Sequence, residues 1–157
     1  MRSCGAALQT GRVVCWASTL RQSHATGIEG SASTVHANSP RDAFSRLEAM
    51  VLMSDIDLPS RVIQQQLASA IRIVVQVSRL QDGTRKVTNI SEVRGLRDDR
   101  IQVEDIFYLE RTGVTDAGKV QGRFRGSGET PQIVERFKTH GLEIPASVFH
   151  EVVEINV

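Results

Sequence analysis

Aromatic side chains are scarce here, with five Phe, one Trp and one Tyr in 157 residues. So few rings exclude a platform on which unpaired bases could stack. Charge of one sign is missing too: 19 Lys and Arg stand against 18 Asp and Glu, which leaves no bulk electrostatic handle for nucleic acid. Cysteine is limited to Cys4 and Cys15, with no CxxC pair, and His24, His36, His140 and His150 are scattered. Metal-ligand spacing is absent, no metal site is expected, and the two thiols read as free in a reducing cytoplasm. No run approaches the roughly twenty apolar residues that a membrane-spanning helix needs. Gly11 and Arg12 interrupt the first apolar stretch before it reaches signal-peptide length.

What is present is an ordinary folding composition, 40% hydrophobic against 24% charged, enough for one domain with a core. The most informative stretch is residues 27–50, "GIEGSASTVHANSPRDAFSRLEAM". A β-branched run leads to His36, Asn38 and Ser39 mark a turn, and Pro40 opens a helix. Ser39 suits the N-cap, Pro40 the first helical position and Asp42 the place of a capping-box acid. His36, Asn38 and Arg41 could together face an anion beside the helix N-terminus.

Further along, Ala43, Leu47, Met50 and Val51 share one helical face with Phe44 beside it. "SDIDLP" breaks the pattern, and Pro59 starts a second helix with Val62, Ile63, Leu67, Ala70 and Ile71 on its apolar side. Gln64, Gln65 and Gln66 read as its solvated face. "IRIVVQVSRL" alternates as a strand, Asp82-Gly83 reads as a two-residue hairpin turn, and "TRKVTNISEV" returns as the partner strand. "RIQVEDIFYLE" places Ile101, Val103, Phe107 and Leu109 on one face of a third strand. A last helix over residues 130–140 follows, capped by Gly141. "LEIPASVFHEVVEINV" predicts a short helix led by Pro145 and then a frayed end.

Residues 113–119, "GVTDAGK", match the spacing of a phosphate-binding GxxxxGK loop, but Val120 stands where a Ser or Thr would hold Mg²⁺. The strand-like "KVQGRFR" that follows favours a hairpin around Asp116 and Gly118 instead.

Two blocks, "GSASTVHANSPRDAFSRLEAMVLM" and "LPSRVIQQQLASAIRIVVQVSRLQDGTRKVTNISEV", resemble the C-terminal half of CpaF-type Tad/Flp pilus assembly ATPases, members of the type II/IV secretion ATPase superfamily. The resemblance runs from about Gly27 to the C-terminus. It implies an α/β fold: the C-terminal portion of a RecA-like P-loop ATPase domain with a C-terminal β-hairpin region, its N-terminal part truncated. It also implies hexameric rings that use ATP and Mg²⁺ at the cytoplasmic side of the inner membrane, beside pilus or secretion platform proteins. His36 matches the His-box histidine and is the catalytic candidate. Glu29, Gly30 and Ser31 match the lead-in to that motif, with Ile28 where a further His is usual, and Arg41 joins them as a nucleotide-side candidate. Arg79 matches another arginine that recurs in the family.

Residues 1–26 fall outside the resemblance. They contain no Asp or Glu, so the Walker B acid expected there has no counterpart, and the segment reads as divergent or frame-shifted. Phosphoryl transfer needs a phosphate cradle with its Lys, a held Mg²⁺ and a group that orients water. The chain alone is therefore expected to be inactive and to bind no nucleotide tightly. Three readings follow: an inactive C-terminal fragment of a secretion ATPase, a non-enzymatic module that binds the intact ATPase or a platform protein, and a hydrolase built on residues 113–119.

Overall fold

A computed structural model of the chain describes residues 32–53 and 58–155. Helix α1, Pro40–Leu52, begins where its sequence says it should: the Ser39 hydroxyl accepts the Asp42 N–H at 3.1 Å and Pro40 occupies the first turn. It buries Ala43, Phe44, Leu47 and Val51. Helix α2, Ser60–Ala70, buries Ile63, Leu67 and Ala68. Its polar side is not wholly solvated, because Ser60 and Gln64 both donate to the Glu48 carboxylate on α1.

Five strands follow: β1 Ile73–Arg79, β2 Arg85–Arg97, β3 Arg100–Val114, β4 Val120–Gly126 and β5 Val152–Ile155. They form one sheet in the order β1-β2-β3-β4-β5, every pair antiparallel. Between β4 and β5 lie helix α3, Ile133–Thr139, and a 3₁₀ turn, Ala146–His150.

This architecture overturns the RecA-like α/β expectation. The described residues form a small domain with a five-stranded antiparallel sheet and three short helices. The reason lies in the connections. Parallel neighbours need crossovers of about a dozen residues or more, whereas β1 to β4 are joined by tight turns. Leu80 N–H bonds to Thr84 O and Gly83 N–H to Leu80 O, with Gly83 at φ 81°. That is a three-residue loop with a left-handed glycine, not the two-residue turn expected at Asp82-Gly83. The β3–β4 loop repeats it: Thr115 N–H bonds to Lys119 O, Gly118 N–H to Thr115 O, and Gly118 has φ 75°. Between β2 and β3 the turn has two residues, Asp98 and Asp99, both at positive φ.

The sheet is packed on both faces. Phe44, Leu47, Val51, Ile63 and Leu67 of α1 and α2 cover Val93 and Val103 on one side. Ile106, Val134 and Phe149 form a second cluster, joined by Ile73, Ile90 and Phe107. The pairing changes from Ser91↔Asp105 to Ile90↔Phe107, which leaves Ile106 as an extra residue in β3. This bulge reverses the alternation, so Phe107 does not share a face with Ile101 and Val103 as their spacing suggested. The C-terminal residues 152–155 pair with β4 instead of fraying.

Candidate functional site

The segment that carries the His-box candidate forms no strand, and a side chain of β1 ties it to the sheet. Gln76 of β1 donates its amide to Ala37 O at 3.0 Å. Val35 packs against the helical core cluster, while His36 is exposed. His36 lines an open groove of about 460 Å³ with Asn38, Asp42 and Arg46. Arg41, also exposed, lines a different groove of about 510 Å³, between the α1 N-terminus and the sheet, with Glu104, Asp105 and Glu129. Asn38 borders both grooves. Glu29, Gly30 and Ser31 lie outside the described residues, as does the whole 1–26 segment.

What could these grooves hold? The α1 N-terminus has little left for an anion. Pro40 has no N–H, Asp42 N–H goes to Ser39 Oγ and Ala43 N–H to Ser39 O at 3.1 Å. Among the described residues only the Arg41 N–H remains for a ligand, where an anion site would present several. The Arg41 groove is walled by carboxylates, which disfavours phosphate there by simple repulsion.

Those carboxylates belong to a polar network that the sequence did not single out. Ser91, fully buried, donates to Asp105 Oδ1 at 2.6 Å, and Asn89 donates to Asp105 Oδ2 at 2.9 Å. Arg94 meets Glu104 at 2.8 Å, Glu129 at 3.2 Å and Glu92 at 3.5 Å. Glu92 is 4% exposed, and its two oxygens accept the N–H groups of Gln132 and Ile133 at 2.9 and 2.7 Å. A buried carboxylate thus caps the start of α3. The clue in the sequence was an acid inside an otherwise β-branched strand, at "ISEV".

Residues 113–119 make a hairpin tip and no phosphate cradle. The amides of Thr115, Gly118 and Lys119 are spent on the turn itself, the last on Thr115 Oγ1 at 3.1 Å. A strand follows where a phosphate loop would require a helix. Among the described residues no cluster of His, Cys, Asp or Glu could hold a metal ion. No helix among them is long and apolar enough to cross a membrane.

No family model matches the chain. Relatives are nevertheless found. Over 100 residues, 64% of the chain, it is 31% identical to a protein of Mycobacterium tuberculosis named "Putative conjugal transfer protein", met in two strains. Over 92 residues, 59% of the chain, it is 27% identical to conjugal transfer protein TrbB of Rhizobium radiobacter. The chain spans only 28% and 27% of the lengths of these relatives. By sequence, then, the chain is distantly similar to conjugal transfer proteins, in keeping with type IV secretion in the broad sense.

Proposed function

We propose that this chain is a part of a conjugal-transfer or type IV secretion machine of the CpaF-like, Tad/Flp pilus-assembly kind, and that it works by contact rather than by chemistry of its own. The observation that carries the reading is the 100-residue similarity to proteins named for conjugal transfer. The two sequence blocks around His36 and Arg79 support the finer, pilus-assembly assignment. In this reading ATP and Mg²⁺ belong to the complete enzyme, His36 and Arg41 stand on the nucleotide side of an assembled ring, and the chain alone binds neither ligand tightly. Its partners are further copies of the same subunit and a platform protein at the cytoplasmic side of the inner membrane. A second reading, a non-enzymatic module that binds an intact ATPase, draws support from the exposed valines of β1.

Calorimetry of the purified chain with ATP and Mg²⁺, paired with co-purification against an intact conjugal-transfer ATPase and an inner-membrane platform protein, tests the proposal. The expected result is no nucleotide binding and retention by one of the two proteins. Micromolar ATP binding lost in Lys119→Ala would overturn it in favour of a nucleotide-binding protein built on residues 113–119.

A further inference from the structure

On the face opposite α1 and α2, helix α3 and the 3₁₀ turn cover only the half of the sheet that holds Ile73, Ile90, Ile106 and Phe107. The other half, toward the β1–β2 and β3–β4 hairpin tips, has no cover among the described residues, yet it is apolar. Registered partners share a face. Val77 stands opposite Val87, and Phe124 opposite both Leu109 and Val153. Alternation from Ile73 along β1, and from Phe107 along β3, puts this whole row on the α3 side. The irregularity between β1 and β2 does not disturb it, because the extra residue there, Thr88, belongs to β2. Val77 and Val153 are 53% and 57% exposed, with Leu109 and Phe124 half-buried. At the same end the reverse face carries Ser78, Lys86, Glu110 and Arg125, as an uncovered sheet ordinarily would. One step nearer the tips the same alternation brings Arg79, Arg85 and Arg111 to the apolar face, all exposed. Arg79 stands opposite Arg85 and donates one N–H to Gly83 O at 3.3 Å. Among the described residues no carboxylate pairs with any of the three, and like charges directly across a ladder destabilise it.

We infer that this apolar row, with its border of three arginines, seats an amphipathic helix of a partner protein, laid across the strands beside α3 with its acidic flank toward the arginines. Five strands about 4.8 Å apart span roughly 19 Å, the length of about thirteen helical residues. An apolar stripe on such a helix meets the row, and its carboxylates turn the repulsion among the arginines into attraction. Shape and charge choose this occupant over three others. A flat bilayer is held off, because α3 and the 3₁₀ turn stand on the same face by about a helix diameter, roughly 10 Å. A second copy closing face to face would lodge each α3 against the other's apolar row, and the exposed side of α3 carries Glu135, Arg136 and Lys138. Residues 1–26 of the chain itself contain no Asp or Glu to set against the arginines. The inference uses the sheet alone, so it survives if the secretion assignment fails, and its test uses no secretion protein.

The test is titration of the isotope-labelled full chain with two synthetic helical peptides of about fourteen residues, followed by amide chemical shifts. Both carry Leu along one stripe; one has Glu along the adjoining flank and the other Lys in the same places. The Glu helix should bind about ten-fold more tightly than the Lys helix, the combined effect of several exposed charge pairs. Its shifts should centre on the row from Val77 to Val153 and leave α1 and α2 unmoved. Arg79→Glu together with Arg111→Glu, both at exposed positions, should invert the preference. Val77→Lys should abolish binding of the Glu helix. Equal affinity for the two helices, binding of neither, or shifts centred elsewhere would each overturn the proposal. So would self-association of the free chain seen by sedimentation, or its capture by phosphatidylglycerol vesicles.

Discussion

The Asp82 carboxylate accepts the backbone N–H of Val120 at 2.9 Å, which ties the tip of the first hairpin to the first residue of β4. The other oxygen takes both the hydroxyl and the N–H of Thr84, at 2.7 and 2.9 Å. These bonds, the Thr84 hydroxyl first, lower the Asp82 pKa from its ordinary 3.8 to about 2. A depressed folded-state value means stability that is present above 3.8 and lost as pH falls toward 2. Asp82→Asn should therefore lower the melting temperature at neutral pH, and the two melting curves should converge as the pH approaches 2. A difference that stays constant down to that pH would refute the assignment.

Glu92 allows a sharper substitution. Glu92→Gln keeps the shape but points an amide donor at one of the two α3 N–H groups, and a buried unpaired donor costs about 1–3 kcal/mol. Hydrogen exchange at Ile133 should accelerate well beyond exchange in α1. Uniform acceleration through the whole domain would mean that α3 does not depend on this cap.

The Asp98-Asp99 turn holds two non-glycine residues at φ 53° and 58°. Asn-Gly suits that geometry better. Asp98→Asn with Asp99→Gly should stabilise the domain by about 0.5–1 kcal/mol, read as a higher urea midpoint with an unchanged slope. Loss of the Arg61–Asp99 pair, 3.1 Å long with both side chains more than 60% exposed, should matter little.

Gly126 and Gly118 should respond in opposite ways to alanine. A Cβ on Gly126 would fall 1.9 Å from the Phe149 carbonyl oxygen, a backbone atom that cannot swing aside. Overpacking of that kind costs about 3 kcal/mol or more. A Cβ on Gly118 meets nothing within 4 Å, so Gly118→Ala should cost only about 1 kcal/mol, for its left-handed backbone. Thermal melts of the two variants side by side check the contrast.

Local signals carried the parts of the fold that depend on neighbours in sequence. Ser39 and Pro40 announced α1. Gly141 announced the end of α3, where Leu142 N–H reaches Phe137 O and Gly141 N–H reaches Lys138 O, at 2.9 and 3.0 Å. The alternation in residues 71–80 showed a strand but not which side faces solvent, because that depends on where α3 and the 3₁₀ turn pack. The Glu92 cap joins residues 40 and 41 positions apart, a distance over which pattern is silent. The family resemblance suggested a RecA-like α/β fold where the described residues form an antiparallel sheet, since hairpin loops, unlike motif blocks, decide whether neighbouring strands run parallel. Motif spacing nominated His36 and Arg41 together, and it gave no sign that they line two different grooves.

The extra residue at Ile106 has a consequence for how this strand can change. Ile101 and Val103 before it serve the α1–α2 side, whereas Phe107 after it serves the α3 side, so a single deletion there would exchange inside for outside along half of β3. Conservative replacements leave that assignment untouched. In this strand, the count of residues is under tighter constraint than their identity.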